Sequence, residues 1–293
     1  MAKQHSTQQF FKLFPTDEIC LEHLFNVRFG QGYECVKCKR SAKWYRIQAE
    51  KAFSCQWCGH HIHPMVGTPF EGSRTSLQSW FFAIYLFTVT RAGVSGKQLQ
   101  RSLGVTYKAA WRMGQQIRKH MAFVDGETPL FGTIEIDETY VGGKSSGGKR
   151  GRGAPNKAVI LGMLQKGGDV MTKVVPNVKR ASLYPIINAN VEKGSTIQTD
   201  ELRSYATLDQ QGYSHETINH GRKEYARNGV HVNGMEGYWA RLKLSIRGTH
   251  VWVSPKYLEN YAKEFEYRFN SRHCPEKMLP ELLSSFPSPS SAE

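Results

Sequence analysis

The sequence has little that would place it in or across a membrane. The apolar run Trp80–Phe87 falls far short of the ~20 residues that span a bilayer, and Arg91 closes it. Residues 1–11 are polar and lack the charged start, apolar centre and small-residue cleavage site of a secretory signal. A soluble intracellular protein is the expectation. Acidic residues are also scarce: 25 Asp and Glu stand against 39 Lys and Arg among 293 residues, a formal net charge of +14. Such a field gathers polyanions, so nucleic acid is the first partner to weigh, although ribosomal and membrane-surface proteins share this balance. Only six cysteines are present, and four of them form two C-x-x-C pairs. In a reducing compartment that pattern excludes a disulfide framework and points to metal ligation. Cys20 and Cys274 remain as ordinary thiols.

What is there suffices for more than one domain. At 40% hydrophobic and 12% aromatic residues, the chain can bury one substantial core with smaller satellites, and two or three domains are expected. Thr16, Asp17 and Glu18 make a capped, acidic first turn for a helix to about Arg28, which Gly30 and Gly32 end. Ser76–Thr90 reads as a buried helix. Ser95–Leu103 and Thr106 to about Met121 are two shorter helices joined at Gly104-Val105, with Ser95 and Thr106 as N-caps, which fits a helix-turn-helix. Lys108, Arg112, Gln115, Arg118 and Lys119 make the second helix either a basic recognition helix or a solvated face.

From Phe131 the pattern turns to β, with strands expected at 133–141, 158–164 and 170–175, a helix at 181–191, and strands at 195–199 and 215–218. Helices at about 234–246 and 255–270 follow. The glycine-rich stretch Gly142–Lys157 carries Lys144, Lys149, Arg150, Arg152 and Lys157 without one acid. It reads as a basic loop for phosphate, or as a plain hairpin tip. The tail from Ser284, rich in Ser and Pro, is expected to fray.

Cys35/Cys38 and Cys55/Cys58, separated by the 16 residues 39–54, have the spacing of two knuckles around one tetrahedral Zn²⁺. A segment this small and polar would draw much of its folding free energy from the metal. His60, His61 and His63 follow closely but are not needed as ligands. Zinc held there would present Lys37, Lys39, Arg40 and Lys43 to DNA.

Asp137 lies inside an apolar strand and Asp200 ends another, positions where aspartate is depleted. Glu236 sits at the edge of a helical stripe made by Met235, Trp239, Leu242 and Ile246. Three such carboxylates brought together would repel by ~1 kcal/mol per pair in water and several times that inside a protein, so they would require cations. Hard oxygens select Mg²⁺ or Mn²⁺, and two such ions can drive an in-line displacement at phosphorus. By strand alternation Glu135 shares the face of Asp137, and Glu138 takes the opposite one. Glu259, Glu264 and Glu266 read as surface ion-pair partners, with Glu264 or Glu266 in reserve as a third ligand.

Taken in order, these residues resemble the bacterial insertion-sequence transposases that join a zinc ribbon to a ribonuclease-H-like DDE domain. The likeness runs from about Phe10 to Arg272. It is carried by the cysteine ribbon, Gly67-Thr68-Pro69-Phe70, Gly104–Trp111, Ile136–Lys144, Thr199-Asp200, His231–Trp239 and Tyr267–Arg272. The resemblance implies an α/β fold: a mixed ribonuclease-H-like sheet flanked by helices, preceded by a zinc ribbon and a helix-turn-helix-like segment. It implies Asp137 on the first strand, Asp200 just beyond the fourth and Glu236 on a later helix, together holding Mg²⁺ or Mn²⁺, with Asn233 a rival for the third position. Water would free a 3′-hydroxyl at each element end, and that hydroxyl would attack target DNA. Lys108, Arg112, Arg241, Lys243, Arg247 and the five basic loop residues would contact double-stranded DNA. His231 and His250 could orient a phosphate or a water.

The domains expected are an N-terminal helical segment at 1–32, the ribbon at 33–66, a helical DNA-binding segment at 67–125, the catalytic domain at 126–283 and the tail at 284–293. The chain would act in the bacterial cytoplasm, as a homodimer or larger assembly on DNA. A DNA-binding regulator with an inert catalytic half, or a structure-selective nuclease, would share these features.

Overall fold

The computed structural model describes residues 6–142, 158–218 and 233–288. The chain divides into two compact units: Met1–Val124 together with Cys274–Glu293, and Asp125–His273.

In the first unit, α1 (Thr7–Leu13) starts at a capping box in which Ser6 and Gln9 satisfy each other's backbone amides. Thr16 caps α2 (Asp17–Arg28) through the amide of Ile19. A three-stranded antiparallel sheet follows, made of β1 (Trp44–Ile47), β2 (Ala52–Cys55) and β3 (His61–Ile62). The next helix, α3 (Leu77–Val89), buries Leu77, Trp80, Phe81, Ala83, Ile84, Tyr85 and Phe87, so it is apolar nearly all round and forms the centre of the unit.

Helices α4 (Gly96–Leu103) and α5 (Tyr107–Asp125) meet at Gly104, whose φ of 65° ends α4 in a left-handed turn. Ser95 and Thr106 accept from the amides of Gln98 and Ala109, the capping roles expected of them. The polar face of α5 is narrower than its sequence suggests. Lys108, Arg112 and Lys119 are exposed, but Gln115 and Arg118 are buried. Arg118 donates to the Val94 carbonyl and lies 5.1 Å over the Phe87 ring.

The end of the chain returns to this unit. Helix α9 (Met278–Ser284) buries Met278, Leu279, Leu282 and Leu283 and packs on α2 and α3. The rings of His23 and His120 bond the carbonyls of Leu283 and Leu282. Residues 278–283, expected in the catalytic segment, therefore complete the N-terminal core. Just beyond Ser284, Phe286 stacks on His120 and meets Phe70 edge-on.

The second unit is a five-stranded sheet of β4 (Thr133–Val141), β5 (Ala158–Gln165), β6 (Val170–Val175), β7 (Thr196–Thr199) and β8 (Ser214–Thr217), in the order β6-β5-β4-β7-β8. β5 runs antiparallel to β4 and β6, whereas β4, β7 and β8 are parallel. This is the mixed ribonuclease-H-like arrangement. α6 (Arg180–Asn190) covers one face, packing Leu183 and Ile187 with Ile134, Ile136, Leu161 and Met163. On the other face α7 (Asn233–Ser245) and α8 (Leu258–Asn270) pack Met235, Trp239, Leu242 and Phe265 with Ile160 and Leu164. Cover on both faces explains why β5 reads as a continuous apolar run.

α8 corrects one expectation. Glu264 and Glu266 are buried, at 0% and 1% exposure, rather than on the surface. Glu264 takes two hydrogen bonds from Arg268, and Glu266 is held by Lys263 and by the amide and hydroxyl of Thr172. Both carboxylates are thus satisfied by partners within the fold, as buried polar groups must be.

Candidate metal centre and carboxylate site

The cysteine cluster is built by two matching turns. After Cys35-Val36-Lys37-Cys38 the chain turns at Lys39, φ 55°, whose amide bonds the Cys35 carbonyl at 2.8 Å. After Cys55-Gln56-Trp57-Cys58 it turns at Gly59, φ 68°, whose amide bonds the Cys55 carbonyl at 3.0 Å. Each turn aims two thiols inward. Cys35 and Cys58 sulfurs are 3.6 Å apart, Cys38 and Cys55 sulfurs 3.9 Å, and all four lie within 4.8 Å of one another. Four sulfurs ~2.3 Å from a central Zn²⁺ would stand about 3.8 Å apart, so the donor set and its spacing fit tetrahedral zinc. Burial opposes ionisation of Cys35, but the amides of Cys38 and Lys37 and the neighbouring thiols outweigh it and bring the thiol down to about 7. Lys37, Lys39, Arg40 and Lys43 are all exposed around the cluster, with the Arg40 guanidinium 5.9 Å over the Trp57 ring.

The carboxylates are assembled by tertiary structure. Along β4 the side chains alternate: Ile134 and Ile136 enter the core under α6, while Glu135 and Asp137 face α7. Asp137 stands at the centre of the sheet, opposite Gly162 of β5, and accepts a 3.0 Å hydrogen bond from the Trp239 indole. Asp200 follows the last residue of β7, and its carboxylate takes the Leu202 amide at 2.9 Å, which holds the turn. Glu236 is exposed in the first turn of α7. Burial raises Asp137 to about 6; the Glu138 amide and Trp239 oppose that rise, and the charges of Asp200 and Glu236 add to it. Asp200 and Glu236 therefore act electrostatically on Asp137. Among the described residues only the cysteines bring three or more metal-ligating atoms within 4.8 Å of one another, so the carboxylate trio is the looser arrangement.

Glu138 takes the opposite face, as alternation requires, and accepts from the buried Tyr205 hydroxyl. Glu135 is 2% exposed and accepts from the Met235 amide at 2.9 Å, a carboxylate cap on the N-terminus of α7. Of the residues expected to touch DNA, Lys108, Arg112, Arg241 and Arg247 are exposed and Lys243 is half-buried. Arg112 donates to the Glu71 carbonyl. Lys144, Lys149, Arg150, Arg152, Lys157 and His231 lie outside the described residues. His250 packs edge-on against Tyr261, at 4.7 Å between rings.

Comparison with known proteins identifies the family. The profile of the ISXO2-like transposase domain matches residues 129–270, and that of the transposase zinc-ribbon domain matches residues 15–61. A transposase-like protein of Haemophilus influenzae is 39% identical over 102 residues, 35% of this chain and 81% of that protein. The chain belongs to this family of insertion-element transposases. A protein of transposable element ISH50 from Halobacterium salinarum is 27% identical over 276 residues, 88% of this chain and 92% of its own. A solved pre-cleavage Mos1 transpososome aligns over 70% of this chain and 78% of that one, at 12% identity and a TM-score of 0.28.

Two features of this transposase escaped sequence reasoning. The polar partner of Trp239 lies 102 residues away, beyond any local pattern. Gly162 carries no turn signal; only its position opposite Asp137 gives it meaning.

Proposed function

We propose that this chain is the transposase of an insertion sequence, binding the terminal inverted repeats and cutting and joining DNA at Asp137, Asp200 and Glu236. The observation that carries this reading is Asp137 at mid-sheet, destabilised as an anion first by its burial and then by the charges of Asp200 and Glu236, within whose electrostatic reach it lies. Such a group gains from a cation. The three carboxylates offer hard oxygen donors from two strands and a helix, a set suited to Mg²⁺ or Mn²⁺. Bound there, two such ions would activate the attacking oxygen and stabilise the leaving one.

The protein's part is placement. Trp239 holds Asp137, the Leu202 amide holds Asp200, and the Glu135 cap fixes the start of the helix that carries Glu236. Arg241, Lys243 and Arg247 follow on the same helix and its extension, where they would neutralise phosphates. The zinc ribbon, Lys108 and Arg112 on α5, and the basic stretch Lys144–Lys157 would hold duplex DNA. Joining two ends requires at least a homodimer on the DNA.

The test is cleavage of a duplex carrying the DNA that flanks the gene. The wild type should nick it with Mg²⁺ or Mn²⁺, and Asp137→Ala and Asp200→Ala should bind it equally well but lose nicking. Full cleavage by either variant would overturn the assignment. Binding without cleavage by the wild type would favour a regulator.

A further inference from the structure

We propose that Trp239 is a positioning residue of the carboxylate site, its indole N–H fixing one oxygen of Asp137 and thereby orienting the other toward a divalent cation. The inference rests on the reading of Asp137 as a cation ligand.

Three observations support it. The indole Nε1–H donates to Asp137 Oδ2 at 3.0 Å, and because indole is a donor only it engages the carboxylate without itself being able to ligate the cation. The space for the ring is made by the residue across the ladder. Gly162 pairs with Asp137, and a Cβ there would lie 2.3 Å from Met235 Cε and 2.5 and 2.7 Å from Trp239 ring atoms. The missing side chain is thus the hollow that admits the indole.

The helix bearing Trp239 is pinned a second time, one turn earlier. The Met235 amide bonds Glu135 Oε2, and Gly234 permits the approach, since a Cβ there would lie 2.7 Å from that same oxygen. Glu135 and Asp137 are two apart on one face of β4, as Met235 and Trp239 are four apart on one face of α7. Strand and helix periods coincide at these two bonds. Glu236 lies between the pins, so the arrangement that orients Asp137 also sets the axial position of Glu236.

A buried tryptophan often finds a partner for its N–H merely to be satisfied in a core. What separates the roles is whether the carboxylate binds a cation less well when the donor alone is lost. Partners that orient a ligand typically contribute a factor of about 10–100 in metal affinity.

The experiment measures Mn²⁺ binding to the zinc-loaded full chain without DNA, from the electron paramagnetic resonance signal of free Mn²⁺. Trp239→Phe keeps an aromatic ring but loses the donor. A second variant, with β-(3-benzothienyl)alanine at position 239, replaces N–H by sulfur at nearly constant shape, and decides the matter if the phenylalanine variant fails to fold. Asp137→Asn is the control. The expected result is a roughly tenfold weaker Mn²⁺ affinity in the benzothienyl variant at an unchanged melting temperature, with nicking recovered at high Mn²⁺. Wild-type Mn²⁺ affinity in that variant, when Asp137→Asn has lost binding, would overturn the positioning role alone. Equal Mn²⁺ binding by Asp137→Asn and the wild type would instead remove the cation-ligand reading, and the inference with it.

Discussion

The two candidate metal centres of this transposase differ in how they are made. The cysteines come from two short turns and already stand 3.6 and 3.9 Å apart in facing pairs. The carboxylates come from two strands and a helix, and no three of them approach so closely among the described residues. Neutral thiols can crowd without a cation, whereas ionised carboxylates ~4 Å apart repel by several kcal/mol at the effective dielectric of a protein. A ligand set made locally is fixed by local turns. One made from distant elements is only as exact as the packing between them.

The sharpest way to break this comparison is to apply one kind of substitution to both centres. Cys55→Ser should cost the first unit much of its zinc-dependent folding free energy, of which structural sites supply ~10–16 kcal/mol in small zinc peptides. Zinc content and thermal unfolding would show it, and a stable, zinc-free ribbon would contradict the fit described above. Asp137→Asn, measured in chelator, should do the opposite and raise the melting temperature of the second unit, because it removes a carboxylate that burial, and then the charges of Asp200 and Glu236, disfavour, while keeping an acceptor for Trp239.

Smaller effects sharpen the role of packing. Gly162→Ala would press a methyl group against Met235 and Trp239 and should destabilise the second unit by ~1–3 kcal/mol, as overpacking does; urea denaturation would measure it.

A pH-dependent effect comes from Asp125, which burial, followed by the charge of Glu266, raises to about 7, against the hydrogen bonds from Asn270. A carboxyl raised in the fold contributes stability at pH values below its unfolded pKa of about 4 and loses it as pH rises through about 7. Asp125→Asn should therefore raise the melting temperature at pH 8 more than at pH 5. An equal shift at both pH values would contradict the assignment.

The smallest change is expected at Val251, a β-branched residue at φ 62°. Val251→Gly relieves ~1–2 kcal/mol of strain but adds unfolded-state entropy, for a net gain within about 1 kcal/mol by calorimetry.

Most elements were legible from the sequence because their signals are local. Thr16, Ser95 and Thr106 cap the helices they were expected to cap, and the strands from 133 to 217 fall within a residue or so of their apolar runs. The order of Asp137, Asp200 and Glu236 along sheet and helix was legible too, through the resemblance. What stayed hidden was the destination of polar groups. Periodicity marks which positions face inward, but it assumes that charges do not. Arg118, Glu264 and Glu266 break that assumption, each satisfied by a partner that a pattern cannot name. Glu135 was placed on the correct face without its role, since capping α7 requires knowing what lies across 100 residues. The packing of α9 was missed because a short apolar helix does not declare which core it completes.

That returning helix has a consequence for the chain as a polymer. Because residues 274–293 belong with 1–124, the unit at 125–273 is an insertion, tethered at both ends to a single host. A host split in this way cannot finish its core until the insertion has been synthesised and α9 has emerged. A premature stop after the second unit would therefore leave that unit's sequence complete, while its damage would be felt at the other end of the gene product.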